Sequence, residues 1–170
     1  MINQNLKNGL EVFILIFWIE KIYKNEYINS AKQTGIRYKF SGNFDEDTKT
    51  EVSNFITFIR KHYYFPIRLN VLFCNNEKFI HHLDGHKYYA AFYSYDDEKR
   101  KIYPRIYVAS MITKKNPLED VLFAVAHEIT HYYQWYFLEE DKKTDRSLEI
   151  EANKWAIYVL ELYLDCKTNC

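Results

Sequence analysis

Hydrophobic positions along the chain change period several times, and each change predicts an element. Residues 8–28 carry aliphatic and aromatic side chains nearly all round, which predicts a buried helix with Leu10, Phe13, Ile14, Phe17, Ile22 and Tyr23 facing the core. The alternative is that Phe13 to Trp18 forms an exposed partner-binding patch. A short strand is predicted over Arg37 to Phe40. Residues 45–63 then repeat at helical spacing, with Val52, Phe55, Ile56 and Ile59 as the buried stripe. Acidic residues at its start and Arg60, Lys61 and His62 at its end agree with the helix dipole. After Pro66 the period drops to two, and Ile67, Leu69, Val71 and Phe73 predict a strand. Asn75-Asn76 is placed to cap a short helix reaching Leu83, followed by a turn at Asp84-Gly85. Lys87 to Tyr95 and Ile102 to Ala109 are β-rich runs joined by the charged Asp96 to Lys101, as in a hairpin. Pro104 cannot donate to a ladder, so the second run is expected at a sheet edge or to start late.

Asn116 to Trp135 predicts the central helix. Asn116 suits a cap, Pro117 the first helical position, and Glu119 and Asp120 the positive end of the dipole. The apolar run Val121 to Ala126 implies burial. Into that buried helix the chain inserts His127, Glu128 and His131. Residues four apart share a helical face, so the two imidazoles can bind one metal ion together. Glu128 sits about 100° round from His127, beside the ion, where a base acting on an activated water has to be. H-E-x-x-H on a helix is the zinc-hydrolase pattern.

Catalytic zinc takes three protein ligands and keeps one position open. The candidates for the third lie on a second predicted helix, in Ser147 to Ala156. Glu149 shares a face with Ala152, Asn153, Ala156 and Leu160, small and mostly apolar, as expected where helices pack closely. Glu151 shares its face with Lys154, Trp155 and Tyr158, where an ion pair with Lys154 competes for it. Glu149 is the preferred ligand and Glu151 the alternative. Asn153, one turn beyond Glu149, is placed to accept the free ring N–H of a ligating histidine. Residues 138–146 form a charged connection between the two metal-bearing helices.

H-E-x-x-H followed by E-x-x-x-N on the next helix resembles the gluzincin metallopeptidases, and the string E-I-E-A-N-K-W-A is closest to small members of the ImmA/IrrE and SprT-like kind. The resemblance implies one zinc ion held by His127, His131 and Glu149, Glu128 as general base, and Asn153 supporting a ligand. It implies a zincin-like α+β domain spanning 1–170: N-terminal helices, a small mostly antiparallel sheet, the active-site helix and a glutamate-bearing C-terminal helix. Since zincin-like folds align a peptide substrate along an edge strand, Arg105, Ile106, Tyr107, Val108 and Ala109 become the candidate substrate-binding strand. The implied activity is zinc-dependent hydrolysis of peptide bonds in a peptide or protein substrate. Alternatives are a zinc-binding interaction module without catalysis and a nucleic-acid-associated protease of SprT-like type.

Composition narrows this further. Lys plus Arg and Asp plus Glu both total 23, so the net charge of zero weighs against a protein that holds nucleic acid mainly through phosphates. Sixteen Tyr and twelve Phe accompany plentiful Ile, Lys and Asn, a pattern that AT-rich coding explains without function. Cys74, Cys166 and Cys170 form neither a zinc ribbon nor a disulfide framework, which points to a reducing compartment. The apolar run Val12 to Ile19 is too short to span a membrane. A cytoplasmic protein without a membrane partner is expected. His81, His82 and His86 cluster near the Asp84-Gly85 turn, where simple solvation, one oxyanion-stabilising role and a second metal are the alternatives.

Overall fold

A strand, a helix and a second strand form the first unit of the fold. The computed structural model describes residues 35–63, 65–94, 103–137 and 144–168, so the predicted helix over 8–28 and the Phe13–Trp18 patch lie outside the described residues. Strand β1 (Ile36–Ser41) leads into helix α1 (Glu46–His62), and strand β2 (Leu69–Cys74) runs parallel to β1. Asp45 caps α1, its carboxylate accepting from the Thr48 backbone N–H at 2.7 Å and from the Thr48 hydroxyl at 2.8 Å. The predicted stripe Val52, Phe55, Ile56 and Ile59 is buried. On β1, half-buried Tyr38 and Phe40 alternate with exposed Arg37, Lys39 and Ser41, and the Tyr38 hydroxyl donates to Ser53 of α1 at 3.0 Å. At the β1 exit, Gly42 adopts a φ of +107°, and a Cβ there would sit 2.9 Å from Asn75 Cβ, so only glycine suits this close approach.

Beyond β2 the chain makes a small antiparallel ribbon, β3 (Phe79–Ile80) with β4 (Lys87–Tyr88), and then β5 (Ala90–Tyr93) and β6 (Arg105–Ala109). The short helix expected after Asn75-Asn76 does not form. Its amides go instead into a tight turn, with His81 N–H donating to His86 O and Gly85 N–H to His81 O. The single strand expected over Lys87–Tyr95 is divided at Tyr89, because Lys87–Tyr88 pair with β3 whereas Ala90–Tyr93 pair with β6.

The four-stranded sheet has the order β1-β2-β6-β5. Its first three strands are parallel and only β5 is antiparallel, which corrects the expected mostly antiparallel sheet. The reason is chain order: a 17-residue helix between two strands is a crossover, and a crossover makes parallel neighbours. The second correction concerns β6. It lies between β2 and β5 with both edges paired, so Arg105, Ile106, Tyr107, Val108 and Ala109 do not offer an edge to a substrate. Of the two readings of Pro104, the late start is the one observed, since the strand begins at Arg105, directly after it. The proline needs no ladder N–H there, and its carbonyl accepts from Asn70 N–H at 3.1 Å.

Helix α2 (Leu118–Phe137) starts beside the end of β6, where the Asn116 side-chain amide donates to the carbonyls of Ala109 and Met111. Helix α3 (Asp145–Thr168) packs along it through Ala152 and Ala156, both fully buried. The predicted pairing of a small-residue face with the helix of His127 and His131 is observed. Tyr163 and Lys167 of α3 reach Glu51 of α1 at 2.9 and 2.7 Å. One hydrophobic core joins Val52 and Phe55 of α1, Val71 and Phe73 of β2, Val108 of β6, Val125 and Ile129 of α2, and Val159 of α3. Among the described residues no helix is long and apolar enough to cross a membrane.

Candidate metal centre

His127 and His131 project from one face of α2, as their spacing demands, with Nε2 atoms 3.1 Å apart. Glu149 comes from the first turns of α3. One of its carboxylate oxygens lies 3.3 Å from His127 Nε2 and the other 3.2 Å from His131 Nε2. Among the described residues this trio is the one group of three His, Cys, Asp or Glu able to hold a metal ion. Glu151, the alternative ligand, points elsewhere: its carboxylate accepts from the side-chain amide of Gln134 at 3.1 Å.

Hydrogen bonds at the outer ring nitrogens place a proton on Nδ1 of each imidazole. Asn153 Oδ1 lies 3.2 Å from His127 Nδ1, as the sequence suggested, and accepts its proton. Gln134 Oε1 lies 2.7 Å from His131 Nδ1 and does the same for that ring. In its neutral form each imidazole then presents a bare Nε2 to the other ring and to a carboxylate. Three acceptors converging without a donor repel one another unless a cation sits among them. Donor atoms held about 2.0–2.2 Å from one tetrahedral centre lie roughly 3.3–3.5 Å apart. The two nitrogens are 3.1 Å apart and each lies 3.2–3.3 Å from its own oxygen of the Glu149 carboxylate, and with one ligand atom taken from each residue all three fall within 4.8 Å of one another. The donor set, two imidazole nitrogens and a carboxylate, suits zinc.

Burial holds His127 below the usual imidazole range; the neighbouring His131 adds to the depression and the Glu149 carboxylate opposes it. A neutral ring is the form that ligates. Burial also pushes the Glu128 carboxyl up to about 8, a backbone hydrogen bond from Phe92 pulls it down, and the Glu149 charge raises it again. Glu128 therefore lies against β5. In that strand Ala109 N–H bonds to Tyr89 O, so by antiparallel alternation Ala91 and Tyr93 turn their main-chain groups toward β6. Ala90 and Phe92 turn theirs to the outer edge, which is unpaired among the described residues. Phe92 and Gln134 are thus contacts of the site that sequence reasoning missed. Gln134 was within reach of it, since residues three apart share a helix face and Gln134 follows His131 by three. Nothing local marks Phe92.

The other candidates are not brought here. The His81 and His82 rings stack on Tyr93 with centroids 4.8 Å away, and the Asp84 carboxylate accepts from His86 N–H and the Tyr88 hydroxyl. Arg105 to Ala109 lie one strand further in, behind β5. No family model, curated protein or solved structure matches the chain.

Proposed function

We propose that this chain is a zinc-dependent peptidase. The observation that carries the reading is the convergence of two imidazole Nε2 atoms and a carboxylate, close enough to share one ion, with a buried glutamate next to them in sequence. His127, His131 and Glu149 would hold the ion. A dication bound there supplies Lewis acidity, polarising a carbonyl and lowering the pKa of water toward about 7.

Glu128 is the base. Its ionised carboxylate takes a proton from the attacking water and delivers it to the leaving amine. A dication held by the trio would favour that ionised form over the neutral one that burial prefers. The Phe92 N–H holds the carboxylate toward the outer edge of β5. That edge, with the outward main-chain groups of Ala90 and the Phe92 carbonyl, replaces Arg105–Ala109 as the surface along which an extended peptide would pair. An acidic side chain buried in this place is costly and serves no purpose in a module that only binds metal.

The decisive experiment measures zinc content by elemental analysis together with cleavage of a peptide library, in wild type and in Glu128→Gln. The expected result is about one zinc per chain in both, with cleavage by wild type alone. Cleavage by Glu128→Gln at the wild-type rate would rule out the assigned base, and a metal-free wild type the zinc centre itself.

A further inference from the structure

Gln134 lies one turn along α2 from the metal-bearing face, and its side chain is 4% exposed. All three of its polar contacts are made to atoms that decide the state of the site. Its Nε2 donates to the Leu148 carbonyl at 3.0 Å and to the Glu151 carboxylate at 3.1 Å, both on α3. Its Oε1 faces His131 Nδ1 at 2.7 Å. The orientation of this amide is forced, because the opposite one would aim a carbonyl oxygen at two oxygen acceptors. A carbonyl oxygen only accepts, so His131 must carry a proton on Nδ1, and whenever the ring is neutral its Nε2 is the bare nitrogen.

We propose that Gln134 is a positioning residue that sets the tautomer of His131 and couples it to the helix bearing Glu149. The proposal rests on the zinc reading of the same trio, and adds to it a reason why the two helices deliver their ligands together. The residue after Leu148 is Glu149, so the carbonyl that receives the Gln134 amide is adjacent in the chain to the third ligand. One amide thereby holds an imidazole on α2 and the start of the ligand-bearing turn on α3 in one network. Glu151 anchors that amide instead of reaching the trio, which explains why an acid two residues from Glu149 is present without being a ligand. A hydrophobic side chain of the same size at 134 would fill the space, yet it would free His131 to choose its other tautomer and leave the Leu148 carbonyl without this donor.

The test uses full-length, ¹⁵N-labelled protein, with long-range ¹H–¹⁵N correlations of the His131 ring recorded in the metal-free state at about pH 8, where an ordinary imidazole is neutral. Zinc affinity is measured separately by competition with a chromophoric chelator, and folding by circular dichroism. Wild type is expected to show Nδ1–H and bare Nε2 at His131. Gln134→Leu is expected to populate both tautomers and to bind zinc roughly 10–100-fold more weakly, the range seen when a partner of a ligand is lost. Gln134→Glu sets a second carboxylate against Glu151 and should also bind weakly. Adding Glu151→Gln supplies a donor to the new carboxylate and should recover most of the loss, a rescue that mere packing at position 134 would not produce.

A wild-type His131 protonated on Nε2, or Gln134→Leu binding zinc as tightly as wild type, overturns the proposal. If Gln134→Leu does not fold, the wild-type tautomer and the rescue of Gln134→Glu by Glu151→Gln decide it. A wild type that takes up no zinc overturns the zinc reading instead, and the metal-free tautomer then upholds or overturns the role of Gln134 on its own.

Discussion

His127 and His131 hold their Nε2 atoms 3.1 Å apart while each gives its Nδ1 proton away, to Asn153 and to Gln134 respectively. In the neutral rings two lone pairs then face each other beside a carboxylate, an arrangement that a cation relieves. Zinc should therefore stabilise the fold, by about 2.7 kcal/mol at a free concentration one hundred times its dissociation constant. The check is a thermal melt with added zinc against one with chelator; identical melting temperatures would contradict that relief.

Glu149 and Glu151 are two residues apart, and the structure gives them different partners, the two imidazoles for Glu149 and the Gln134 amide for Glu151. Glu149→Ala should abolish stoichiometric zinc binding. Glu151→Ala should retain zinc with affinity reduced by roughly tenfold or somewhat more, because it removes an anchor of Gln134 rather than a ligand. Zinc titrations of the two variants settle the assignment, and the reverse ranking would exchange the two roles.

Glu128 makes metal-free stability depend on pH in a direction that can be worked out. Its carboxyl is raised from 4.5 to about 8 by burial, so between those values the folded protein retains a proton that the unfolded chain has lost. Stability from this group is complete below the unfolded pKa and drains away as pH rises through the folded one, at up to about 1.4 kcal/mol per pH unit. His127, depressed by burial, has the opposite sign, and it cancels when wild type is compared with Glu128→Gln. Urea titrations in chelator should show Glu128→Gln gaining on wild type from about pH 5 to about pH 8. A difference that does not change with pH would mean that the carboxyl is not buried as described.

The outer edge of β5 and the interior strand β6 should answer differently to proline. Ala109 N–H is spent on Tyr89 O at 2.7 Å, so Ala109→Pro should cost about 3 kcal/mol or more. Ala90 turns its N–H outward, so Ala90→Pro should leave zinc binding and most stability intact while raising KM for an extended peptide. Equal losses of stability in chemical denaturation would show that both amides belong to the ladder.

Ala156 is fully buried where α3 meets α2. Ala156→Leu overpacks this contact, at a cost of about 1–3 kcal/mol, and should weaken zinc binding by pushing the Glu149 carboxylate away from the imidazoles. Calorimetry of zinc binding, run beside a denaturation curve, separates the two effects. Unchanged zinc affinity in a folded variant would show that the site does not depend on this close approach.

Local spacing alone determined a good part of the protein. Four residues per near-turn put His127 and His131 on one face, and the small face of Ala152 and Ala156 pointed to Glu149 as their partner. The stripes of α1 and β2, and the Asn153 contact with His127, were legible for the same reason: each depends on the period of a single element, or on one close helix pair. Tertiary structure decided what crosses between elements distant in the chain. Pro104 looks like an edge marker until Asn70 is seen to bond its carbonyl and β2 and β5 to flank its strand. Phe92 carries no chemical mark, because its contribution is a backbone amide that any residue supplies and only the open edge of β5 aims at Glu128. Gln134 stands at a readable interval from His131, but its orientation comes from a main-chain carbonyl on another helix. Side-chain periodicity is written in residue types, whereas strand order and main-chain hydrogen bonds are common to every residue and take their direction from the fold.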